Sequence, residues 1–290
     1  MINNNIKISK FHFSHANRPL VIYTHVESPI TRRNILFFMK HGLHSAADFI
    51  FIINVDSDID GFLPENTPNI RIVKTKEKCL NRGSIGGIIG ARTERYLDVY
   101  SKFIIMSSNL RGPFLPLWST ECWTDRFISK LNDETKLVGT GYSCTPTHHV
   151  IAPIFATDNA GMRLLINGDP NNSTSKPTEI DPYSTTGLSR CYPSIESEKS
   201  AEISFTNIIT RASYKAEAYI AAALAKGYYE DCYNGDVMGP NSYFGHSVHP
   251  YEIIFVDMNK EHLNEGSFVN KMSEWHEELN YNSWNVCSGV

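Results

Sequence analysis

The sequence predicts an α/β protein with one mostly parallel β-sheet and helices on both faces. The first observation behind this prediction is that short apolar runs alternate with longer segments of helical periodicity in the first half of the chain. The second is that 290 residues at 41% hydrophobic and 20% charged suit one large core. We therefore expect a single domain over residues 1–290, with its two halves over about 19–118 and 119–257 and a helical extension over 258–290.

The apolar runs have the length of buried strands, and turn and capping residues bound the helical segments. Ser28 is a plausible N-cap, with Pro29 at the first helical position and Gly42 closing that helix. The predicted strands are residues 19–24, 48–54, 69–75, 102–106, 136–141, 150–156 and 251–257. Helices are predicted from residue 29 to Gly42, over 84–100, 123–131, 159–166 and 200–212, and in the C-terminal region.

Residues 167–196 are rich in Pro, Ser, Thr, Asn and Gly, and they are too many for an idle connection. This segment is either a mobile surface excursion or part of a binding site. We prefer the second interpretation.

Charge and targeting signals exclude several classes of function. The net charge is −4 and the basic residues are scattered, so nucleic acid is not an expected partner. Residues 1–10 are polar, and no segment approaches the length of a membrane span, so we expect a cytoplasmic protein. The six cysteines are widely separated without metal-site spacing, and we expect reduced thiols.

Polar residues follow the predicted strands at the edge where parallel sheets bind ligands. Residues 24–27, 54–60 and 107–111 come directly after the first, second and fourth strands. Loops at one sheet edge converge, so a shared pocket is expected. For any one of these residues a capping or turn role is the competing interpretation.

Three charged residues stand out. Arg82 and Arg111 lie beside glycines, where a guanidinium could clamp a phosphate, although a surface salt bridge would explain each of them equally well. Glu202 falls on the apolar helical stripe that contains Phe205 and Ile208, which is costly unless the carboxylate is paired or lies at a cleft. His246 and His249 are three residues apart but lack the spacing of a complete metal site.

Several segments, in order, resemble glycosyltransferases of the GT-A fold. Residues 78–92 (KCLNRGSIGGIIGAR) and 201–219 (AEISFTNIITRASYKAEAY) are similar to segments of that family. SSNLRGPFLP, ECWTDRFISKL and NGDVMGPNSYFGHSVHPYEIIF are similar to segments of small predicted glycosyltransferases of plants, algae and large algal viruses. The resemblance covers about residues 19–257 and implies a Rossmann-like GT-A sheet, with donor binding in the first half and acceptor binding and catalysis in the second.

The resemblance also implies partners and roles. The donor would be a nucleotide diphosphate sugar, such as a UDP-sugar, and the acceptor a hydroxyl of a glycan. Glu202 matches the family's catalytic base, and a single base with direct displacement implies inversion. The residues that would hold the donor are Thr24, Asp56, Arg82, Ser107, Ser108, Asn109, Arg111 and His249.

One departure concerns the metal. The family's Asp-x-Asp at the end of the fourth strand corresponds here to Ser107, Ser108 and Asn109, and none of these is a carboxylate. Hydroxyl and amide groups are poor replacements for carboxylates at Mn or Mg. We therefore assign no metal ligands and no certain cofactor, and a divalent Mn or Mg ion stays the less favoured alternative. Arg82, Arg111 and His249 would then neutralise the diphosphate.

Two alternatives stay open. A catalytically inactive transferase-like domain that binds a nucleotide or glycan would also lack the Asp-x-Asp. A metal-dependent hydrolase that uses the C-terminal histidines would need carboxylate partners that the sequence does not place.

Overall fold

A computed structural model gives the architecture of the chain. It describes residues 18–64, 67–76, 82–91, 95–168, 179–224, 236–259, 268–279 and 281–287. The strands are β1 (Leu20–His25), β2 (Asp48–Asn54), β3 (Ile70–Thr75), β4 (Lys102–Ser107), β5 (Leu110–Arg111), β6 (Thr135–Ser143), β7 (His149–Asp158), β8 (Lys215–Ala218) and β9 (Val256–Asp257).

The helices connect these strands and cover them. They are α1 (Pro29–His41), α2 (Ile85–Ile89), α3 (Tyr96–Val99), α4 (Trp123–Ile128), α5 (Asn159–Ile166), α6 (Ile195–Arg211), α7 (Pro250–Ile253), α8 (Phe268–Glu278) and α9 (Ser283–Val286). Short 3₁₀ turns lie at Ile59–Phe62 and Ala221–Leu224.

The central sheet has seven strands in the order β3-β2-β1-β4-β7-β6-β8. All neighbouring pairs are parallel except those of β7, which runs antiparallel to both β4 and β6. The beginning of β7 therefore lies at the same edge as the ends of β4 and β6. A small second sheet pairs β5 with β9.

The sheet is covered on both faces, which confirms the predicted fold class. Alternate residues of β1 enter different hydrophobic clusters: Val21 and Tyr23 pack in one, and Leu20 and Ile22 in the other. The first cluster contains residues of α1, α4 and α8, and the second contains residues of α2, α5 and α6. Near-continuous burial of the parallel strands is typical of such a two-sided arrangement.

The first six predicted strands are confirmed. The predicted start of α1 is confirmed as well, because Ser28 forms a capping box with Thr31 and Pro29 is the first helical residue. The helix ends at His41, one residue before Gly42.

The predicted strand over 251–257 is wrong over most of its length. Pro250 starts α7 there, and His249 caps the helix by accepting a hydrogen bond from the Tyr251 amide at 3.1 Å. Only Val256–Asp257 is a strand.

Two predicted helices also differ from the structure. The single helix over 84–100 is instead α2 and α3 with residues 90–95 between them, in a segment where glycine weakens helical structure. Helix α6 begins five residues earlier than predicted, because Ser194 and Ser197 form a capping box.

Residues 179–194 pack against α6, which disfavours the alternative of a mobile excursion for this part of the segment. The Asp181 amide donates to Ser200 Oγ at 2.9 Å, and the Gly187 amide donates to Ser204 Oγ at 2.8 Å. Residues 169–178 lie outside the described part of the chain.

The expectation of reduced cysteines is wrong. Cys122 and Cys287 form a disulfide, and Cys144 and Cys191 are disulfide-bonded too. Cys79 and Cys232 lie outside the described residues, within which no cysteine is free.

Within the described ranges, no helix combines the length and the apolar character needed to cross a bilayer.

Candidate functional site

A polar cleft of about 320 Å³ opens at the carboxyl edge of the central sheet. We name it the α6 cleft, because α6 supplies much of its lining. The sheet contributes residues where β4 and β6 end and where β7 begins, which is the edge at which open α/β sheets bind ligands. Its lining residues are Arg82, Ser107, Asn109, Ser143, His149, Ile151, Pro153, Ile195, Glu198, Lys199, Glu202, Asp236, Asp257 and Asn259.

Glu202 lies at the centre of a charged cluster in this cleft. Its side chain is 19% exposed, and Oε2 accepts a hydrogen bond from Arg82 Nη2 at 3.3 Å. Its other oxygen, Oε1, is 3.9 Å from His149 Nε2. The carboxylate predicted on an apolar stripe is therefore both paired and open to the cleft, which removes much of the cost of its burial.

Arg82 lies next to Glu202 and is anchored by several contacts. Its side chain is 4% exposed, and Nη2 also donates to the carbonyl of Ala152 at 2.6 Å. The guanidinium lies over the ring of Phe205, with the carbon 5.5 Å from the ring centroid. Arg82 Nε is buried and has no hydrogen-bond partner among the described residues. The guanidinium thus lines the cleft, and both of its hydrogen bonds to described residues use Nη2.

The hydrogen bond of His149 fixes where its proton lies. Nδ1 is 2.7 Å from the carbonyl of Thr147, and a carbonyl only accepts hydrogen bonds, so Nδ1 carries the proton. In the neutral ring Nε2 is then an acceptor, and it is the nitrogen nearest to Glu202. At 3.9 Å the two atoms are in electrostatic contact but beyond hydrogen-bond distance, and Glu202 is the more accessible of the two side chains.

The ends of β4 and β9 supply another part of the lining. Ser107 is the last residue of β4, and Asn109 follows it with its side chain partly exposed. The Met258 amide donates to the Asn109 carbonyl at 2.9 Å, which joins this turn to the end of β9. Asp257 and Asn259 therefore line the same cleft as the β4 residues.

The charges of the cleft are mixed. Four carboxylates, Glu198, Glu202, Asp236 and Asp257, line it with two permanent cations, Arg82 and Lys199. These side chains have a formal charge of −2, from four negative and two positive groups. An anionic ligand must therefore bind close to Arg82 and Lys199.

Four of the nine predicted site residues line the cleft: Glu202, Arg82, Ser107 and Asn109. The structure thus brings together the proposed base, one proposed clamp and the two ends of the β4 turn.

Thr24 and Ser108 hold the strands together at the cleft edge instead of lining the cleft. Thr24 Oγ1 donates to the carbonyl of Met106 at 3.3 Å, and the Val26 amide donates to Ser108 Oγ at 3.3 Å. Both side chains are buried. They connect β1 to β4.

Arg111 is buried away from the cleft. Nε donates to Asn34 Oδ1 at 2.7 Å, and Nη1 donates to Ser273 Oγ at 3.2 Å. Burial lowers the pKa of its guanidinium, which also lies over the ring of Phe37. These contacts join α1, β5 and α8 and favour a structural role.

Asp56 and His249 are exposed and outside the cleft lining. Asp56 lies in the turn after β2, where its amide donates to Asn54 Oδ1 at 2.9 Å. His249 caps α7 and packs between the rings of Tyr251 and Phe268. Burial lowers the pKa of His249, which makes it a poorer permanent cation for a phosphate.

A second polar cluster lies at the same sheet edge, where β1 and β2 end. Glu27 Oε2 is 3.0 Å from His25 Nε2 and accepts from Ser57 Oγ at 2.7 Å, while Oε1 accepts from Arg32 at 3.3 Å. Burial alone would raise the pKa of Glu27, but these hydrogen bonds hold it below its usual value. The prediction that the loops after the strands converge is confirmed by these contacts.

Sequence reasoning missed His149, Lys199, Asp236, Asp257 and Asn259. A signal existed for Asp257, since it ends a predicted strand and is a carboxylate. No local sequence signal marks His149, which enters the cleft because β7 runs antiparallel to β4 and β6.

Comparison with known proteins leaves the family open. No protein-family model matches the chain, and no curated protein matches it.

The described residues contain one group of possible metal ligands, and it lies outside the α6 cleft. Their one cluster of three potential ligands is His44, Cys122 and Cys287, whose ligand atoms lie within 4.8 Å of one another. Two of these ligands are joined in the disulfide, and burial lowers the pKa of His44 to about 3. The donor atoms therefore do not fit Mn or Mg, which prefer oxygen ligands.

Proposed function

We propose that the α6 cleft is the active site of a glycosyltransferase. The enzyme would move a sugar from a nucleotide diphosphate donor, with UDP as the first candidate, to a hydroxyl of a glycan acceptor. The observation that carries this proposal is the Glu202 carboxylate, which is partly exposed in a cleft at the carboxyl edge of the sheet and held between Arg82 and His149. The segments that resemble GT-A glycosyltransferases, and the mostly parallel sheet, support the finer assignment to that fold.

The reaction needs a base and a stabilised leaving group. The acceptor oxygen forms a bond to the anomeric carbon, and the bond from that carbon to the diphosphate oxygen breaks. The bonding electrons leave with the diphosphate, and the hydroxyl proton passes to Glu202. Because the displacement is direct, the configuration at the anomeric carbon inverts.

Arg82 and Lys199 are the cations in the cleft that can stabilise the negative charge of the departing diphosphate. No step in this scheme uses a metal ion, because Ser107, Ser108 and Asn109 offer no carboxylate where the family has its Asp-x-Asp.

The disulfides favour folding in an oxidising compartment over the cytoplasm that the sequence suggested. Disulfides persist in secretory and extracellular compartments and are rare in the reducing cytosol. The pairing of Cys122 with Cys287, together with the disulfide-bonded states of Cys144 and Cys191, is the basis for this proposal.

A catalytically inactive domain that binds a nucleotide or glycan is the second candidate. The absence of a carboxylate at Ser107, Ser108 and Asn109 favours it. The inactive domain would bind its ligand in the same α6 cleft and would differ from the transferase only in lacking turnover.

A thermal-shift screen followed by a transfer assay tests the proposal. We expect UDP and UDP-sugars to raise the melting temperature in the presence of EDTA, because ligand binding stabilises the folded state and Arg82 and Lys199 supply the positive charge. Mass spectrometry of an oligosaccharide acceptor should then show the addition of one sugar. A shift that appears only with manganese would contradict the metal-free scheme. Binding without any transfer would favour the inactive domain. No shift with any nucleotide sugar would refute the transferase and leave only glycan binding for the inactive domain.

A further inference from the structure

A second concave site lies outside the α6 cleft. It is a groove of about 460 Å³ between residues 115–122 and the region of α7. We name it the Trp118 groove, and its lining includes Trp118, Glu121, Arg126 and Glu252. The groove shares no lining residue with the α6 cleft.

The groove presents a large aromatic ring to solvent. Trp118 is 83% exposed, and its neighbour Leu117 is 53% exposed. Exposure of a ring of this size gives up the stabilisation that burial would provide. An exposed indole at the edge of a groove is therefore a candidate contact for a ligand.

The backbone that carries Trp118 is fixed on both sides. The Phe114 amide donates to the Ile254 carbonyl at 2.7 Å, and the Ser119 amide donates to the Pro116 carbonyl at 2.8 Å. Cys122, which lines the groove, is held in the disulfide with Cys287. The exposed ring thus belongs to an anchored turn, which reduces the entropy lost when a ligand binds.

Hydrogen-bonding groups surround the ring. Glu121 and Arg126 are exposed, and their side chains make no hydrogen bond to another described residue. Arg126 is kept in place by the ring of Tyr219, 6.0 Å from its guanidinium carbon. Glu252 uses Oε1 to accept from the Ala221 amide, so Oε2 is the oxygen left for a ligand.

The groove has few charged groups. Glu121 and Glu252 contribute two negative charges and Arg126 one positive charge, so these residues have a formal charge of −1. With the single cation Arg126 beside two carboxylates, the groove offers less positive charge to a phosphate than the α6 cleft, which has Arg82 and Lys199. A neutral ligand with many hydroxyl groups and an apolar face fits both the indole and the surrounding carboxylates and guanidinium.

We propose that the Trp118 groove binds a neutral oligosaccharide. The C–H face of a pyranose ring stacks on the indole of Trp118, while the sugar hydroxyls donate to Glu121 and Glu252 and accept from Arg126. This binding does not depend on the chemistry of the α6 cleft, and it stands even where the cleft has no transferase activity.

Isothermal titration with three neutral hexasaccharides, chitohexaose, mannohexaose and xylohexaose, tests this inference on the full chain. We expect at least one of them to bind. Trp118→Ala should weaken that binding at least ~10-fold, since an aromatic contact and its buried area contribute roughly 1.4 kcal/mol or more. Trp275→Ala is the matched control, because Trp275 is 43% exposed on α8 and lies outside the groove.

Further measurements distinguish sugar binding in the Trp118 groove from misfolding, from binding in the α6 cleft and from self-association. Melting temperatures of both variants should stay near that of the parent protein, and UDP binding should be unchanged in Trp118→Ala. Failure of all three sugars to bind, or equal binding by Trp118→Ala, would overturn the inference. Self-association that Trp118→Ala abolishes, without sugar binding, would instead make the groove an interface between copies of the chain.

Discussion

Arg82 and Arg111 occupy two contrasting regions of the molecule. Both are buried, both hydrogen-bond to the protein, and both lie over a phenylalanine ring. Arg82 nevertheless borders open space, next to a partly exposed carboxylate. Arg111 is enclosed where α8 packs on α1, with its donors directed to Asn34 and Ser273.

The contrast extends to the histidines of the two regions. In the cleft, His149 has a carbonyl partner on one nitrogen and the Glu202 carboxylate near the other. In the α1–α8 layer, neither ring nitrogen of His276 has a hydrogen-bond partner among the described residues, and the ring packs against Phe37 and Phe114. A buried arginine or histidine therefore does not by itself identify a binding site. The side chain must also border open space that a ligand can enter.

The largest expected effect on stability comes from the disulfide of the α1–α8 side. It joins the start of α4 to the end of α9 across a sequence separation of 165 residues. We expect the double variant Cys122→Ala, Cys287→Ala to lose about 3 kcal/mol of unfolding free energy, because the unfolded chain gains conformational freedom. Chemical denaturation measures this loss. The affinity for UDP should be unchanged. A loss of UDP binding free energy as large as the loss of unfolding free energy would contradict the separation of the disulfide region from the α6 cleft.

Exchange of the two arginines for alanine gives the next largest effects, and they should differ in kind. Arg111→Ala leaves Asn34 Oδ1 without its donor and should lower the unfolding free energy by about 2 kcal/mol, with UDP affinity unchanged. Arg82→Ala should weaken UDP binding ~10-fold or more, because a charged hydrogen bond contributes roughly 1.5–3 kcal/mol. Calorimetric titration and denaturation of both variants check this. If Arg111→Ala weakens binding as much as Arg82→Ala, Arg111 acts on the donor after all.

The smallest effect concerns the pH dependence of stability. Burial lowers the pKa of His276 to about 4, from an unfolded value near 6.5. The folded state therefore binds fewer protons than the unfolded chain between these values, and His276 makes the protein less stable as the pH falls from 6.5 towards 4. His276→Phe should remove about 1 kcal/mol of the stability loss between pH 7.5 and pH 5.5.

Unfolding curves at these two pH values measure that difference. Phenylalanine retains the ring contacts and needs no hydrogen-bond partner, so the variant should be at least as stable as the parent at pH 7.5. An unchanged pH dependence would mean that the pKa of His276 in the folded protein lies near its unfolded value.

The sheet could be predicted from the sequence because its strands are continuous apolar runs, such as 48–54 and 102–106. The start of α1 could be predicted because Ser28 and Pro29 are adjacent residues that favour a helix N-terminus. Glu202 was a site candidate because a carboxylate on an apolar stripe needs a local explanation. These features depend on residues close together in the chain.

The features that could not be predicted from the sequence depend on contacts between distant segments of the chain. Arg111 and Arg82 have similar glycine neighbours, and only the packing of α8 on α1 separates their environments. Asp257 and His149 enter the cleft because β9 pairs with β5 and β7 runs antiparallel, and neither pairing has a local signal. The disulfide joins residues too far apart for spacing to indicate it.

The most direct test of the account is the turnover of Glu202→Gln. Glutamine has nearly the same shape and can still accept a hydrogen bond from Arg82, so the fold and UDP-sugar affinity should be retained. Loss of the base should lower sugar transfer by about a hundredfold or more. Transfer rate, donor affinity and melting temperature are measured on the same preparation. Near-normal transfer by the folded variant would contradict the assignment of Glu202 as the base.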